Sequence, residues 1–138
     1  MAEENVEVVR RSFVAFDRGG VDAVISDGIW SREVVWDASP TGIPGLGVYR
    51  GYEEVRSFFE NDWFQAFPFE AWELEIDQLI DNGDQVIVMA CQRGRDATSG
   101  AAAELEFAQI CTVRDGEIIR VETYLDRIKA LEAAGLAE

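Results

Sequence analysis

The apolar pattern of this chain is mainly helical before Pro68 and mainly alternating after it, and that change limits the fold more than any other feature. Upstream, apolar residues recur at helical spacing: Val6, Val9, Phe13 and Phe16 step by three and four. Gly19 and Gly20 stop that first helix, and a shorter one follows with Val21, Val24 and Ile25 on one side. A β-branched and aromatic stretch at 33–39 predicts a strand. The Gly/Pro-rich stretch 40–47 holds neither helix nor ladder and predicts a flap-like loop. Residues 52–67 predict a third helix, with Val55, Phe58, Phe59 and Trp63 near one face and Pro68 as its end.

Downstream the period is two. Trp72, Leu74 and Ile76 alternate with Glu73, Glu75 and Asp77, which predicts a half-exposed strand. Asn82-Gly83 is read as the centre of a hairpin turn. Strands at 85–95, 101–114 and 117–125 follow, joined by turns at 96–100 and at Asp115-Gly116. Asp126 then caps a C-terminal helix that stops at Gly135. Helices first and a long meander afterwards spell α+β: a curved antiparallel sheet wrapped around about three N-terminal helices, with a short C-terminal helix. With 138 residues and no linker or repeat, residues 1–138 are read as a single domain. The run Val86 to Cys91 is apolar on both faces, so both faces need cover. The helices supply one cover, and a homodimer through the convex face is the expected source of the other.

Charge narrows the partners. Twelve Lys plus Arg against 27 Asp plus Glu give a net charge of −15, which repels phosphate backbones and anionic lipid. Neither nucleic acid nor a membrane is therefore expected as a partner. The chain has no histidine, which removes imidazole bases and histidine-ligated metal sites. No motif implies a cofactor, and no carboxylate spacing implies a metal. The start Met-Ala-Glu-Glu-Asn lacks the basic-then-apolar pattern of a secretory signal, and Cys91 and Cys111 read as buried thiols. The expected location is the cytoplasm.

Three segments carry a resemblance. Residues Val8-Val9-Arg10-Arg11-Ser12-Phe13 through Gly20, the strand ending Val35-Trp36-Asp37, and Tyr49-Arg50-Gly51-Tyr52 through Phe59 resemble the NTF2-like superfamily. Within it the chain looks closest to SnoaL-like proteins, beside the polyketide cyclases and ketosteroid isomerases. The ending from Arg114 to Leu136 is similar to the close of many SnoaL-like chains. The resemblance implies an NTF2-like (cystatin-like) cone with a pocket between the concave sheet and the helices. That fold serves isomerases, cyclases, hydrolases, dehydratases and plain binders, so it specifies no reaction.

The resemblance also assigns residues. Asp37 matches the general-base aspartate of the isomerases, and a carboxylate walled by apolar groups suits proton transfer next to a carbonyl. The alternative is a strand-end aspartate that caps a loop N–H. Ser12 falls where the family has its carbonyl-polarising tyrosine, and Gln109 where it has a protonated aspartate. Both can donate a hydrogen bond, but neither is acidic, which disfavours steroid isomerisation itself. Alternation groups Ile87, Met89, Cys91 and Arg93 on one face; if that face is concave, Met89 and Arg93 reach the pocket. Arg93 resembles the arginine of epoxide-hydrolase-like relatives, whereas Arg95 and Thr123 stand where those relatives need aspartates. The favoured reading of Arg93 is a cross-strand pair with Glu104. Asp126 loosely matches the acid of the cyclases and is also a plain helix cap. The expected pocket walls are Phe13, Phe16, Trp36, Phe58, Phe59, Trp63, Met89 and Phe107, with Arg93 and Thr123 as polar contacts, around a small apolar ligand. Two functions stay open: acid–base catalysis on an apolar carbonyl or polycyclic substrate, and ligand binding or dimerisation without chemistry.

Overall fold

The computed structural model describes residues 2–67 and 69–136. Helix α1 runs Ala2–Ser26 and is followed by β1 (Trp30–Asp37), a 3₁₀ turn (Ser39–Thr41) and the short β2 (Val48–Arg50). Helix α2 (Gly51–Ser57), a π-helical turn (Phe58–Asp62) and α3 (Trp63–Ala66) form one continuous helical stretch. Strands β3 (Phe69–Asn82), β4 (Gln85–Asp96), β5 (Ala102–Arg114) and β6 (Glu117–Tyr124) follow, then α4 (Arg127–Ala133). The architecture is mixed α+β, a curved open six-stranded sheet with helices against it.

The strand order is β2-β1-β6-β5-β4-β3. The meander β3 to β6 is antiparallel throughout, as its tight turns require, but β1 lies parallel to β6. One parallel pair therefore enters a sheet whose sequence pattern speaks only of hairpins. It is possible because α2, α3 and four strands separate β1 from β6 in the chain, ample length for a crossover.

Local chemistry sets the boundaries. As expected, Gly19 and Gly20 break α1 into two helical pieces: both are non-helical, Gly20 with φ 69 and ψ −153, a region open to glycine, and a shorter helical piece follows across the kink. The predicted third helix is interrupted by the π turn, in which the Trp63 amide donates to the Phe58 carbonyl five residues back. That widened turn sets Phe58 above Trp63, with ring centroids 5.7 Å apart. Its predicted terminator, Pro68, lies outside the described residues. The first hairpin turns on Gly83-Asp84, one residue later than expected, because Asn82 still pairs with Gln85. Asp115 and Gly116 both have positive φ, the geometry of a tight right-twisting hairpin. Asp126 caps α4 by accepting from the Ile128 and Lys129 amides at 2.9 and 3.3 Å.

Two cores occupy the two faces of the sheet. The larger lies between the concave face and the helices and includes Val9, Val34, Trp36, Phe58, Val88 and Val121. The smaller lies on the convex face, where Ile87, Met89, Ala108, Ile110 and Tyr124 pack against Ala130 of α4. The cover anticipated from a second subunit is thus supplied at these residues by the chain's own last helix. No helix among the described residues is long and apolar enough to cross a membrane.

Candidate ligand cavity

A cavity of about 50 Å³ lies between the helices and the concave face. Its walls are aromatic because α1, β1, the π turn, α3 and β5 bring rings to one place. The π turn presents Phe58 and Phe59 from adjacent positions, with centroids 4.9 Å apart. Strand β1 presents Trp30 and Trp36, 5.4 Å apart edge to face. Helix α1 adds Phe13 and Phe16, the latter 5.0 Å from Phe59. Phe107 of β5 closes the wall near Trp63, at 6.5 Å. Edge and tilted contacts at these distances are the favoured arrangements of aromatic quadrupoles.

Four polar side chains interrupt that wall: Ser12, Gln92, Gln109 and Thr123. The Ser12 hydroxyl donates to the Val9 carbonyl one turn back, at 2.6 Å, so it faces the cavity as an acceptor rather than a donor. Trp63 Nε1 donates to Gln92 Oε1 at 3.1 Å and holds both residues in place. Gln109 and Thr123 sit directly opposite each other on β5 and β6. Gln109 is 8% exposed and Thr123 1%, and Thr123 Oγ1 has no hydrogen-bond partner among the described residues. No described lining residue carries a carboxylate, an ammonium, a guanidinium or a phenol. Cys111 is the titratable lining group, and burial pushes its thiol up to about 12.

Of the residues expected at the site, the structure brings Ser12, Phe13, Phe16, Trp36, Phe58, Phe59, Trp63, Phe107, Gln109 and Thr123 together around the cavity. Three expected residues stand elsewhere. Asp37 is 9% exposed but follows Trp36, and alternation turns it to the opposite face. There its Oδ1 accepts from the Ser39 amide at 2.9 Å and the Ser39 hydroxyl at 2.6 Å, while Oδ2 accepts from Arg120 at 3.2 Å. Met89 is buried in the convex core. Arg93 is on the surface, bonded to Glu104 at 2.9 Å and to Glu75. The physical reason is register. Arg93 opposite Glu104 places Gln109 opposite Val88, so the even-numbered residues of β4 face the cavity and Met89 faces away.

Sequence reasoning missed Trp30, Leu74, Gln92 and Ile118. Trp30 precedes the predicted start of β1, although Ile29-Trp30 after Gly28 is an apolar pair that a strand would bury. Gln92 is a neutral amide within an apolar strand, the same signal that singled out Gln109. Among the described residues no cluster of three His, Cys, Asp or Glu side chains is placed to hold a metal ion.

The SnoaL-like domain matches residues 9–121. The chain belongs to the SnoaL-like family. Its fold is shared by an NTF2-like protein of unknown function from Burkholderia pseudomallei, with a TM-score of 0.71 and 24% identity over 94% of this chain and 95% of that one. A protein from Jannaschia sp. CCS1, named as a candidate SnoaL-like polyketide cyclase, gives 0.71 at 20% identity over 99% and 94%. TerC, crystallised with polyporic acid, gives 0.74 at 22% identity over 96% and 98%. No curated protein matches this SnoaL-like chain by sequence.

Proposed function

We propose that this SnoaL-like domain binds a small, flat, largely apolar and uncharged molecule between its helices and its concave sheet. The observation that carries the reading is the lining: aromatic rings and four neutral polar side chains, with no charged group among the described residues. Such walls favour apolar surface, and they penalise a buried charge that finds no counter-ion. TerC, a protein of the same fold, was co-crystallised with polyporic acid, which is in keeping with an aromatic ligand here but, being an acid, lends nothing to its neutrality.

Acid–base catalysis is the less supported reading. It needs a titratable group against the ligand, and Cys111 stays a neutral thiol at ordinary pH. Asp37, the best base by resemblance, has both carboxylate oxygens engaged on the other face of β1.

The free volume also bears on how binding proceeds. A cavity of about 150 Å³ is what accepts benzene in a well-studied engineered core, and here the volume is about 50 Å³. A ring enters only if the wall moves. Phe16 and Phe59 line both this cavity and an outer cleft of about 290 Å³ beside the Gly19-Gly20 kink. Those two rings are the door, between a kinked helix and a π turn, both places where a helix yields readily.

The test is a calorimetric and thermal-shift screen of neutral aromatics against carboxylated analogues of the same size. Neutral compounds are expected to stabilise the protein and the anions to leave it unchanged. Phe16→Ala should speed association without reversing that preference. Equal or better binding of the anions would overturn the reading.

A further inference from the structure

The polar residues of the cavity are not equivalent. Ser12 has committed its proton to Val9, and Gln92 has committed its carbonyl oxygen to Trp63. Thr123 lines the cavity with its Oγ1 buried and unpartnered among the described residues, and Gln109 faces it across the β5–β6 ladder. Directly opposed residues on one sheet face hold their Cβ atoms about 4.5–5.5 Å apart, close enough for one ligand atom to meet both side chains. A buried hydroxyl without a partner is costly to keep, which makes it a place that a polar ligand atom completes.

We infer that Thr123 and Gln109 form a neutral hydroxyl-recognition point, which selects an un-ionised phenol or alcohol over both its apolar isostere and its anion. The inference rests on the proposed binding function and specifies its ligand. A hydroxyl both donates and accepts. The threonine hydroxyl can answer either way, and the glutamine amide offers a carbonyl acceptor beside two N–H donors. A phenolate has lost the proton that the glutamine carbonyl would accept. Its charge would lie among rings with no cation in the described lining, inside a chain of net charge −15. The opposite preference would hold for a site built on acidic donors, which binds the anion.

Phenol and toluene have nearly the same shape and differ in the hydroxyl, so they are the probes, read by chemical-shift titration of the full chain. Thr123→Val removes the hydroxyl and keeps the volume. It should weaken phenol by roughly tenfold, the scale of one hydrogen bond to a ligand, and leave toluene unchanged or tighter. Thr123→Ser should restore the preference for phenol. Gln109→Leu should also lose it, which keeps the test alive if the valine variant folds poorly. For a chlorinated phenol titrated through its own ionisation, affinity should fall about tenfold per pH unit above the ligand's pKa. Equal losses of phenol and toluene in Thr123→Val, or indifference to phenol ionisation, would overturn the inference and leave the binding function standing. If neither probe shifts cavity resonances in the wild type, the proposed function itself fails.

Discussion

On the concave face of the sheet the polar side chains that meet the cavity are two glutamines and a threonine, whereas on the convex face the polar groups are joined as ions. Arg120 bonds Asp37, Arg127 bonds Asp77 at 2.7 Å, and Arg93 bridges Glu75 and Glu104. The two faces also differ in what fills them. Aromatic rings from α1, β1, the π turn, α3 and β5 surround the cavity, while mainly aliphatic side chains with Tyr124 fill the convex core under α4. The contrast follows from solvent. Ion pairs are tolerable where water reaches them and costly where it does not. A cavity meant for neutral molecules keeps its charges on the other side of the backbone.

The largest effect should come from the aromatic wall. Phe58 is 1% exposed and touches Trp36, Tyr49, Phe59 and Trp63. Phe58→Ala should destabilise the fold by about 3–5 kcal/mol, measured by denaturant unfolding. On the other face, Ile87→Ala should cost about 2–5 kcal/mol, towards the low end because α4 can settle onto the gap. A Phe58→Ala variant that loses less than Ile87→Ala would mean that the wall is loosely packed, and the need for a moving door would lapse.

Next comes alkaline pH, where each face holds one buried cysteine. Burial pushes Cys111 from 9.0 up to about 12, and it raises Cys91 too, with Glu104 adding to the shift. Above pH 9 the unfolded chain sheds a thiol proton that the folded chain keeps, so it binds fewer protons and stability falls as pH rises. The stabilisation is complete below the unfolded value near 9 and is lost progressively towards about 12. Thermal unfolding between pH 8 and 11 should trace that fall, and Cys111→Val should flatten it more than Cys91→Val. The reverse ranking would place the drier environment on the convex face.

Asp37 gives a smaller effect of a different kind. Asp37→Ala removes the acceptor of the Ser39 amide and the partner of Arg120, and should cost about 1–3 kcal/mol. Ligand affinity should stay the same, because the carboxylate lies on the face away from the cavity. A loss of turnover with retained stability in Asp37→Asn would break the division between the faces and restore Asp37 as a base.

Much of this was legible in the sequence, and the exceptions share a cause. The caps, turns and helix-to-strand switch depend on neighbours in the chain, so Asp126, Asp115-Gly116 and the α1 pattern could be read directly. The aromatic wall was legible because Phe16, Phe58, Phe59 and Trp63 share helical faces. The side of the sheet was not. In β4 six residues from Val86 to Cys91 are buried whichever way they point, so alternation there carries no sign. In β3 a bulge between Ile76 and Gln78 reverses the parity, and Leu74 and Leu79 both reach the larger core although five positions apart. The π turn left no pattern either, since one widened turn changes no residue type.

Arg93 carries the smallest prediction and tests that lesson most directly. Its side chain is over two-fifths exposed, and its pKa is raised chiefly by the hydrogen bond it donates to Glu104. Exposed ion pairs trade Coulomb energy against side-chain entropy and salt screening, and most contribute little. Arg93→Gln should therefore leave the melting temperature within the scatter of surface substitutions. It should leave phenol affinity unchanged as well, because Gln92, one residue earlier, is the β4 side chain that lines the cavity. Gln92→Leu releases Trp63 Nε1 from its acceptor and should alter both. If instead Arg93→Gln weakens binding and Gln92→Leu does not, β4 presents its odd-numbered residues to the ligand. The assignment of Gln109 opposite Val88 would then fall with it, since one register fixes both.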